Sequence, residues 1–234
     1  MISLVNVTKI FPGGEQPYYA LDNVTIEIAK QEFIGIIGKS GSGKSTLLNI
    51  MSGIDCPSFG SVIVNGTDIS LLSQAELTKW RLNNIGIIFQ SFHLIPTLTL
   101  LENVILPMEF AYPFKRKQKK RRAMELLDSV GLADKWNLFP DFASGGEKQR
   151  TAIARALAND PPLILADEPT GNLDSENAFH IYLLFERLAR SGKTIVMVTH
   201  DPDLAKSLPR TLQLKDGEIM GSKPVPRHEE MEIK

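Results

Sequence analysis

The sequence predicts an α/β fold: a mainly parallel sheet with helices against it, antiparallel β strands at the start of the chain and a largely helical middle. Three observations carry this. Four short apolar runs, "FIGII" (33–37), "IGIIF" (85–89), "LILA" (163–166) and "TIVMVT" (194–199), have the length and β-branched content of strands buried on both faces. Helical patterns lie between them, and strand–helix alternation marks an α/β core. The first 30 residues instead alternate apolar and polar positions, as half-buried antiparallel strands do.

In chain order, "SLVNVTKIF" (3–11) and "LDNVTIEIA" (21–29) are the alternating strands, and "FIGII" is the first buried one. "KSTLLNIMSG" (44–53) has a helical pattern, and "SVIVNGTDI" (61–69) is a strand running into an Asn-Gly turn. After the second buried strand, residues 100–140 are largely helical, with Pro107 and Pro113 expected as breaks. "DFASGGEKQRTAIARAL" (141–157) opens a further helix on a Ser-Gly-Gly turn, with Glu147 and Gln149 in its first turn. "ENAFHIYLLFERLARSG" (176–192) is a helix stopped at Ser191-Gly192. "LQLKDGEIM" (212–220) folds as a hairpin about Asp216-Gly217. The polar, proline-bearing end, 222–234, is expected to be a loosely held, flexible tail.

Composition narrows the function. Of 234 residues 43% are hydrophobic, enough for a buried core, and a net charge of −1 argues against general nucleic-acid binding. Charge is locally uneven: "KRKQKKRR" (115–122) holds seven basic residues. That run is either a solvated helix face or a patch for anionic lipid or an acidic partner. Cys56 is the only cysteine, which excludes an internal disulfide and a multi-cysteine zinc site and fits a reducing compartment. No stretch approaches the roughly 20 apolar residues of a spanning helix, and "MISLVNVTKIF" lacks the layout of a secretory signal. A cytosolic protein that reaches a membrane only through another chain is expected.

The chemistry begins at "GKSGSGKST" (38–46). Gly38, Gly43, Lys44 and Ser45 fit G-x-x-x-x-G-K-[ST], set between a buried strand and an amphipathic helix as that motif demands. Glycines let backbone N–H groups wrap a phosphate, Lys44 places a cation on the β/γ oxygens, and the Ser45 hydroxyl is a ligand for Mg²⁺. The nucleotide is therefore expected along Gly38, Ser40, Gly41, Ser42, Gly43, Lys44, Ser45 and Thr46. "LILADEP" ends a buried run in two acids. Asp167 suits Mg²⁺, directly or through water. Glu168 can orient and polarise a water aimed at the γ-phosphate, a task typically contributing about 10²–10⁴-fold. His200 ends the next buried run, where open α/β sheets bind ligands. The Ser-Gly-Gly turn at 144–146 is a second helix start able to approach an anion closely.

With these residues in view, the chain resembles the nucleotide-binding subunit of ABC transporters over nearly all of 1–221, and "SGGEKQR" looks like the ABC signature motif. The resemblance implies a P-loop ATPase fold, with an α/β ATP-binding core, an antiparallel β subdomain and a helical subdomain inserted at about 91–158. It implies ATP and Mg²⁺ as ligands and a head-to-tail homodimer. Each ATP would lie between one chain's phosphate loop and the other chain's Ser144, Gly145, Gly146 and Glu147. Phe11 would stack on adenine, with Tyr18 and Tyr19 less well placed. Gln90, after "IGIIF", would approach Mg²⁺ and sense a membrane subunit. Asp174 of "GNLD" would face the opposite chain, and His200 would contact the γ-phosphate. Two positions depart from the family pattern: Ala143 stands where leucine is usual, and Lys39 where an uncharged residue is usual.

"SFHLIPTLTLLENVILPMEF" (91–110) and "THDPDLA" (199–205) are similar to the lipoprotein-releasing and macrolide-efflux group of these ATPases. That implies a permease docking near 91–110, at the cytoplasmic face of the membrane, for export or extraction of a lipoprotein, peptide or drug-like cargo. The apolar Phe92, Leu94, Ile95 and Leu98 fit either such a dock or burial within the chain's own helices. A soluble ATPase of this family, working in cluster assembly or on ribosomes or nucleic acid, would share every nucleotide motif.

Overall fold

Alternation along the first strands becomes an antiparallel sheet in the computed structural model, which describes residues 1–13, 16–111 and 116–224. Strand β1 (Ile2–Phe11) pairs with β2 (Tyr18–Ile28) on one side and with β4 (Phe59–Val64) on the other, and β5 (Thr67–Asp68) closes the order β2-β1-β4-β5. The Asn65-Gly66 turn between β4 and β5 has both residues at positive φ, as a tight hairpin requires.

A second sheet of six strands runs in the order β10-β9-β3-β8-β7-β6. Its parallel members are β3 (Phe33–Ile37), β6 (Ile85–Ile88), β7 (Leu163–Asp167), β8 (Thr194–Thr199) and β9 (Arg210–Lys215). The continuous apolar runs are explained by cover on both faces. Ile34, Ile36, Leu163, Leu165, Val196 and Val198 join one core with the antiparallel sheet, α1 (Lys44–Met51) and α2 (Gln74–Asn84). The alternate residues, among them Phe33, Ile164, Ile195 and Met197, join a second core with the helices. Those are α3 (Leu100–Phe110), α4 (Arg116–Ser129), α5 (Gly145–Ala156) and α6 (Ser175–Arg190). A short helix, α7 (Pro202–Ser207), leads from β8 to β9.

Two expectations are corrected. Pro107 does not break its helix but lies inside α3. The helix tolerates the missing N–H because Leu100, Leu101, Val104 and Met108 are buried and a Thr99/Glu102 capping box secures its start. Pro113 lies outside the described residues. The tail begins later than expected, since β10 (Glu218–Pro224) carries the chain through Ser222↔Leu212, Lys223↔Thr211 and Pro224↔Arg210. A polar edge strand needs only backbone pairing, and an edge accepts Pro and Lys. Residues 225–234 lie outside the description.

The basic run is largely taken up at home. Lys119 pairs with Glu109 at 2.6 Å, and Arg121 with Glu125 at 2.8 Å. Lys120 lies 5.4 Å from the Trp136 ring centroid, and Arg122 donates to the carbonyls of Leu157 and Ala158 at the end of α5. The Lys119, Lys120 and Arg122 contacts tie α4 to its neighbours and Arg121 pairs within α4, which favours the helix-face reading.

Candidate active site

Four neighbouring strands, β3, β8, β7 and β6, deliver a polar residue or loop to the same carboxyl edge of the sheet. That is where α/β sheets place their ligands. After β3 the chain turns through Gly38–Gly43 into α1. Gly43 caps α1 at φ 100°, and a Cβ there would meet the Ala20 carbonyl at 2.3 Å. No side chain caps this helix, so first-turn N–H groups remain for an anion. Lys44 is buried, and its Nζ donates to the Gly38 and Lys39 carbonyls, both at 2.9 Å. The ammonium is thus held over its own loop. Ser42 Oγ is buried without a partner. Lys39 is exposed, as a solvent-facing residue would be.

Asp167 ends β7 beside this loop. Burial pushes its carboxyl above the ordinary aspartate range; a Ser45 hydrogen bond pulls it down, the neighbouring Glu168 charge adds to the rise, and Lys44 opposes it. One oxygen, Oδ1, is buried with no hydrogen-bond partner. A buried orphan acceptor beside a hydroxyl and a cation is a poor resting state for a side chain and a fitting one for a metal ligand.

Glu168 follows at φ 46°, a left-handed conformation costly for a non-glycine residue. Its N–H is held by the Val198 carbonyl at 3.0 Å, and its carbonyl by Gly171 N at 3.1 Å. The turn aims the carboxylate at His200, whose Nδ1 lies 2.8 Å from Glu168 Oε1. Both face a cleft of about 650 Å³ that also touches Gly38, Lys39, Ser40 and Gln213. Gln90, just past β6, belongs to the same edge. A Cβ on Gly171 would lie 3.0 Å from Gln90 Nε2 and 3.5 Å from Glu168 Oε2, so amide and carboxylate flank one small residue.

Phe11 ends β1 in a partly exposed position, and the Lys9 ammonium lies 4.9 Å from its ring centroid. Tyr18 pairs with Phe11 across the strands, and its hydroxyl donates to the Gly41 carbonyl at 3.3 Å. Tyr18 therefore touches the phosphate loop, a role its sequence position did not announce.

The remaining candidates form a second group, around the starts of α5 and α6, and none of them lines the cleft at Gly38–Ser40. Ser144 caps α5, its Oγ accepting from Glu147 N at 3.3 Å. Within the chain the Glu147 carboxylate accepts from Ser144 N at 2.8 Å and pairs with Lys135. Those partners, Lys135 first, hold its carboxyl below the usual range. Asp174 caps α6 through Asn177 N at 2.8 Å. The two helix starts touch: a Cβ on Gly146 would lie 2.4 Å from Asn177 Oδ1. Ala143 is buried in the helical core, where a leucine would need more room.

Sequence reasoning missed the residues that join the groups. Asn172 Nδ2 donates to the Gln90 carbonyl at 2.9 Å. Arg155 donates to the carbonyls of Phe92, at 2.7 Å, and His93. Asn172 lies in "GNLD" and Arg155 in "DFASGGEKQRTAIARAL", but nothing in the sequence marks a bond to the backbone carbonyls of a distant loop.

A family model described as ABC transporter matches residues 21–171, from β2 through the Gly171 turn. The chain belongs to the ABC transporter family. It is 48% identical over 223 residues to the uncharacterized ABC transporter ATP-binding protein MJ0796 of Methanocaldococcus jannaschii, covering 94% of this chain and 95% of that one. It is 46% identical to the lipoprotein-releasing system ATP-binding protein LolD of Aquifex aeolicus, covering 92% and 94%. To the macrolide export ATP-binding/permease protein MacB of Chlorobaculum tepidum it is 45% identical, over 94% of this chain and 34% of that longer one. A solved dimer of MJ0796 in a post-hydrolysis state, bound to ADP and Pi, superposes with a TM-score of 0.90 at 46% identity, covering 96% of this chain and 99% of the other. This ABC protein is accordingly the ATP-binding, ATP-hydrolysing subunit of a transporter.

Proposed function

We propose that this ATPase powers a membrane permease that exports or extracts a lipoprotein, peptide or drug-like cargo, through ATP-dependent pairing of two copies. The observation that carries the pairing is that one chain holds two phosphate-ready helix starts in separate groups. Lys44, Ser45, Asp167, Glu168, His200 and Gln90 converge at one edge, whereas Ser144, Gly145, Gly146 and Asp174 gather at the starts of α5 and α6. ATP held by the first group of one copy would meet the second group of its partner. Its terminal phosphate then joins the two chains until hydrolysis removes it.

Within each site Glu168 holds the attacking water and takes its proton, with His200 fixing the carboxylate until the γ-phosphate arrives. Lys44 and the loop N–H groups stabilise charge on the phosphates. Ser45 and Asp167, with Gln90 near, are the residues that would hold Mg²⁺. The ion would neutralise phosphate charge there. Phe11 offers its ring to the adenine.

Among the described residues no helix is long and apolar enough to cross a membrane. By likeness to the relatives named for lipoprotein release and macrolide export, the chain would sit on the cytoplasmic face through its permease. The segment after Gln90 supports a dock: Leu94 packs inward, but Ile95 and Phe110 remain exposed. The relatives named for lipoprotein release and macrolide export support the cargo class. Affinity purification from membranes tests this reading. A permease retained in detergent is expected; a soluble protein retained in its place would overturn it.

A further inference from the structure

The loop carrying Gln90 is unusual in its backbone. Phe92 and His93 stand consecutively at φ 57° and 49°, left-handed conformations that side chains other than glycine disfavour. Local contacts hold part of the corner: Phe92 N donates to the Phe89 carbonyl at 3.3 Å, His93 N donates to the Ser91 carbonyl at 2.5 Å, and the His93 and Phe89 rings meet at 4.7 Å. The two carbonyls of the corner are gripped from far along the chain. The Arg155 guanidinium, on the last turn of α5, donates one bond to each of the two carbonyls, using two nitrogens of its planar fork. On the other side of Gln90, Asn172 holds the Gln90 carbonyl itself at 2.9 Å. The loop is thus suspended at two points, one on the signature helix and one on the segment leading into α6.

We propose that Arg155 is a positioning residue for hydrolysis: by pinning the strained Phe92–His93 corner to α5, it holds Gln90 at the edge beside Glu168. The inference rests on the role proposed for Gln90 above. A lysine does not reproduce the fork: one ammonium can reach two carbonyls, as Lys44 does in its own loop, but from a single nitrogen on a shorter reach rather than from two nitrogens fixed in one plane. Burial also lowers the guanidinium's affinity for its proton. Because Arg155 belongs to the helix that would serve the partner's ATP, while Gln90 serves the chain's own, the clamp links the two sites mechanically.

The test is a double-mutant cycle in the full chain, reading steady-state ATP hydrolysis and equilibrium binding of a fluorescent ATP analogue. In the natural loop, Arg155→Ala is expected to lower kcat about ten- to a hundredfold, as loss of positioning does, with analogue affinity unchanged. Arg155→Lys, the milder change, is expected to lower kcat in the same direction. In a second background, Phe92→Gly with His93→Gly, the corner takes positive φ without being held. There Arg155→Ala should cost less than about threefold, because the sites are coupled through the corner. Equal losses in both backgrounds would overturn the proposal and leave Arg155 as a support of α5 alone. So would an unchanged kcat in Arg155→Ala. Loss of analogue binding in the parent protein would instead count against the nucleotide site itself, which separates the two failures.

Discussion

Glu168 is legible as a base from the sequence, since it follows an acid at the end of a buried strand. Its left-handed backbone is not, because φ is fixed by the Val198 and Gly171 hydrogen bonds rather than by the residue's own preference. That geometry aims the carboxylate at His200, so replacing it should remove chemistry and leave binding. Glu168→Gln is expected to retain ATP while its turnover falls about 10²–10⁴-fold; an isolated variant hydrolysing at near the parent rate would contradict the assignment. Asp167 yields a second test. Its folded carboxyl titrates above the unfolded value of 3.8, chiefly because it is buried. Below that value both states are protonated and burial costs nothing. As pH rises past it the unfolded chain ionises first, so the protein loses stability until the folded group has ionised too. Without nucleotide or Mg²⁺, Asp167→Asn should therefore melt at a higher temperature than the parent at pH 7, with the gap closing towards pH 4. Melting curves at several pH values would show it, and an asparagine variant less stable throughout would refute it.

At the scale of elements, the sequence showed the inner strands and α6 almost to the residue, because burial on two faces and a Ser-Gly stop leave local marks. It hid what tertiary contact decides. Pro107 survives inside α3 by virtue of the buried face around it, and β10 reaches Pro224 by backbone pairing that needs no apolar pattern. Glu147 completes the cap of its own helix, a Ser-x-x-Glu box that the sequence contains but sequence reasoning missed. The meeting of α5 and α6 was not visible at all. It depends on Gly146 lacking a side chain, so Gly146→Ala should push the Asn177 amide aside. The expected cost is about 1–3 kcal/mol, the range for a forced overpacking. Denaturant unfolding of the two proteins measures it, and an unchanged midpoint would mean that the α6 cap yields freely.

On the scale of the whole molecule, the fold explains why motifs more than 100 residues apart in sequence divide into two groups. The parallel sheet gathers one group at its carboxyl edge, and the other forms where the start of α5, from the helices between β6 and β7, meets the start of α6 after β7. Arg155 and Asn172 hold the loop after Gln90 by its carbonyls, so on the inference above a change at either should be felt at Gln90 without a change in nucleotide contacts. On the proposed function, a lone chain has every part of the reaction but in two places. Specific activity measured against protein concentration tests this most directly, with sedimentation in saturating ATP reporting the oligomeric state of the same samples. Turnover per chain should fall towards zero as the dimer dissociates. Constant turnover per chain in samples that sediment as monomers would contradict the account.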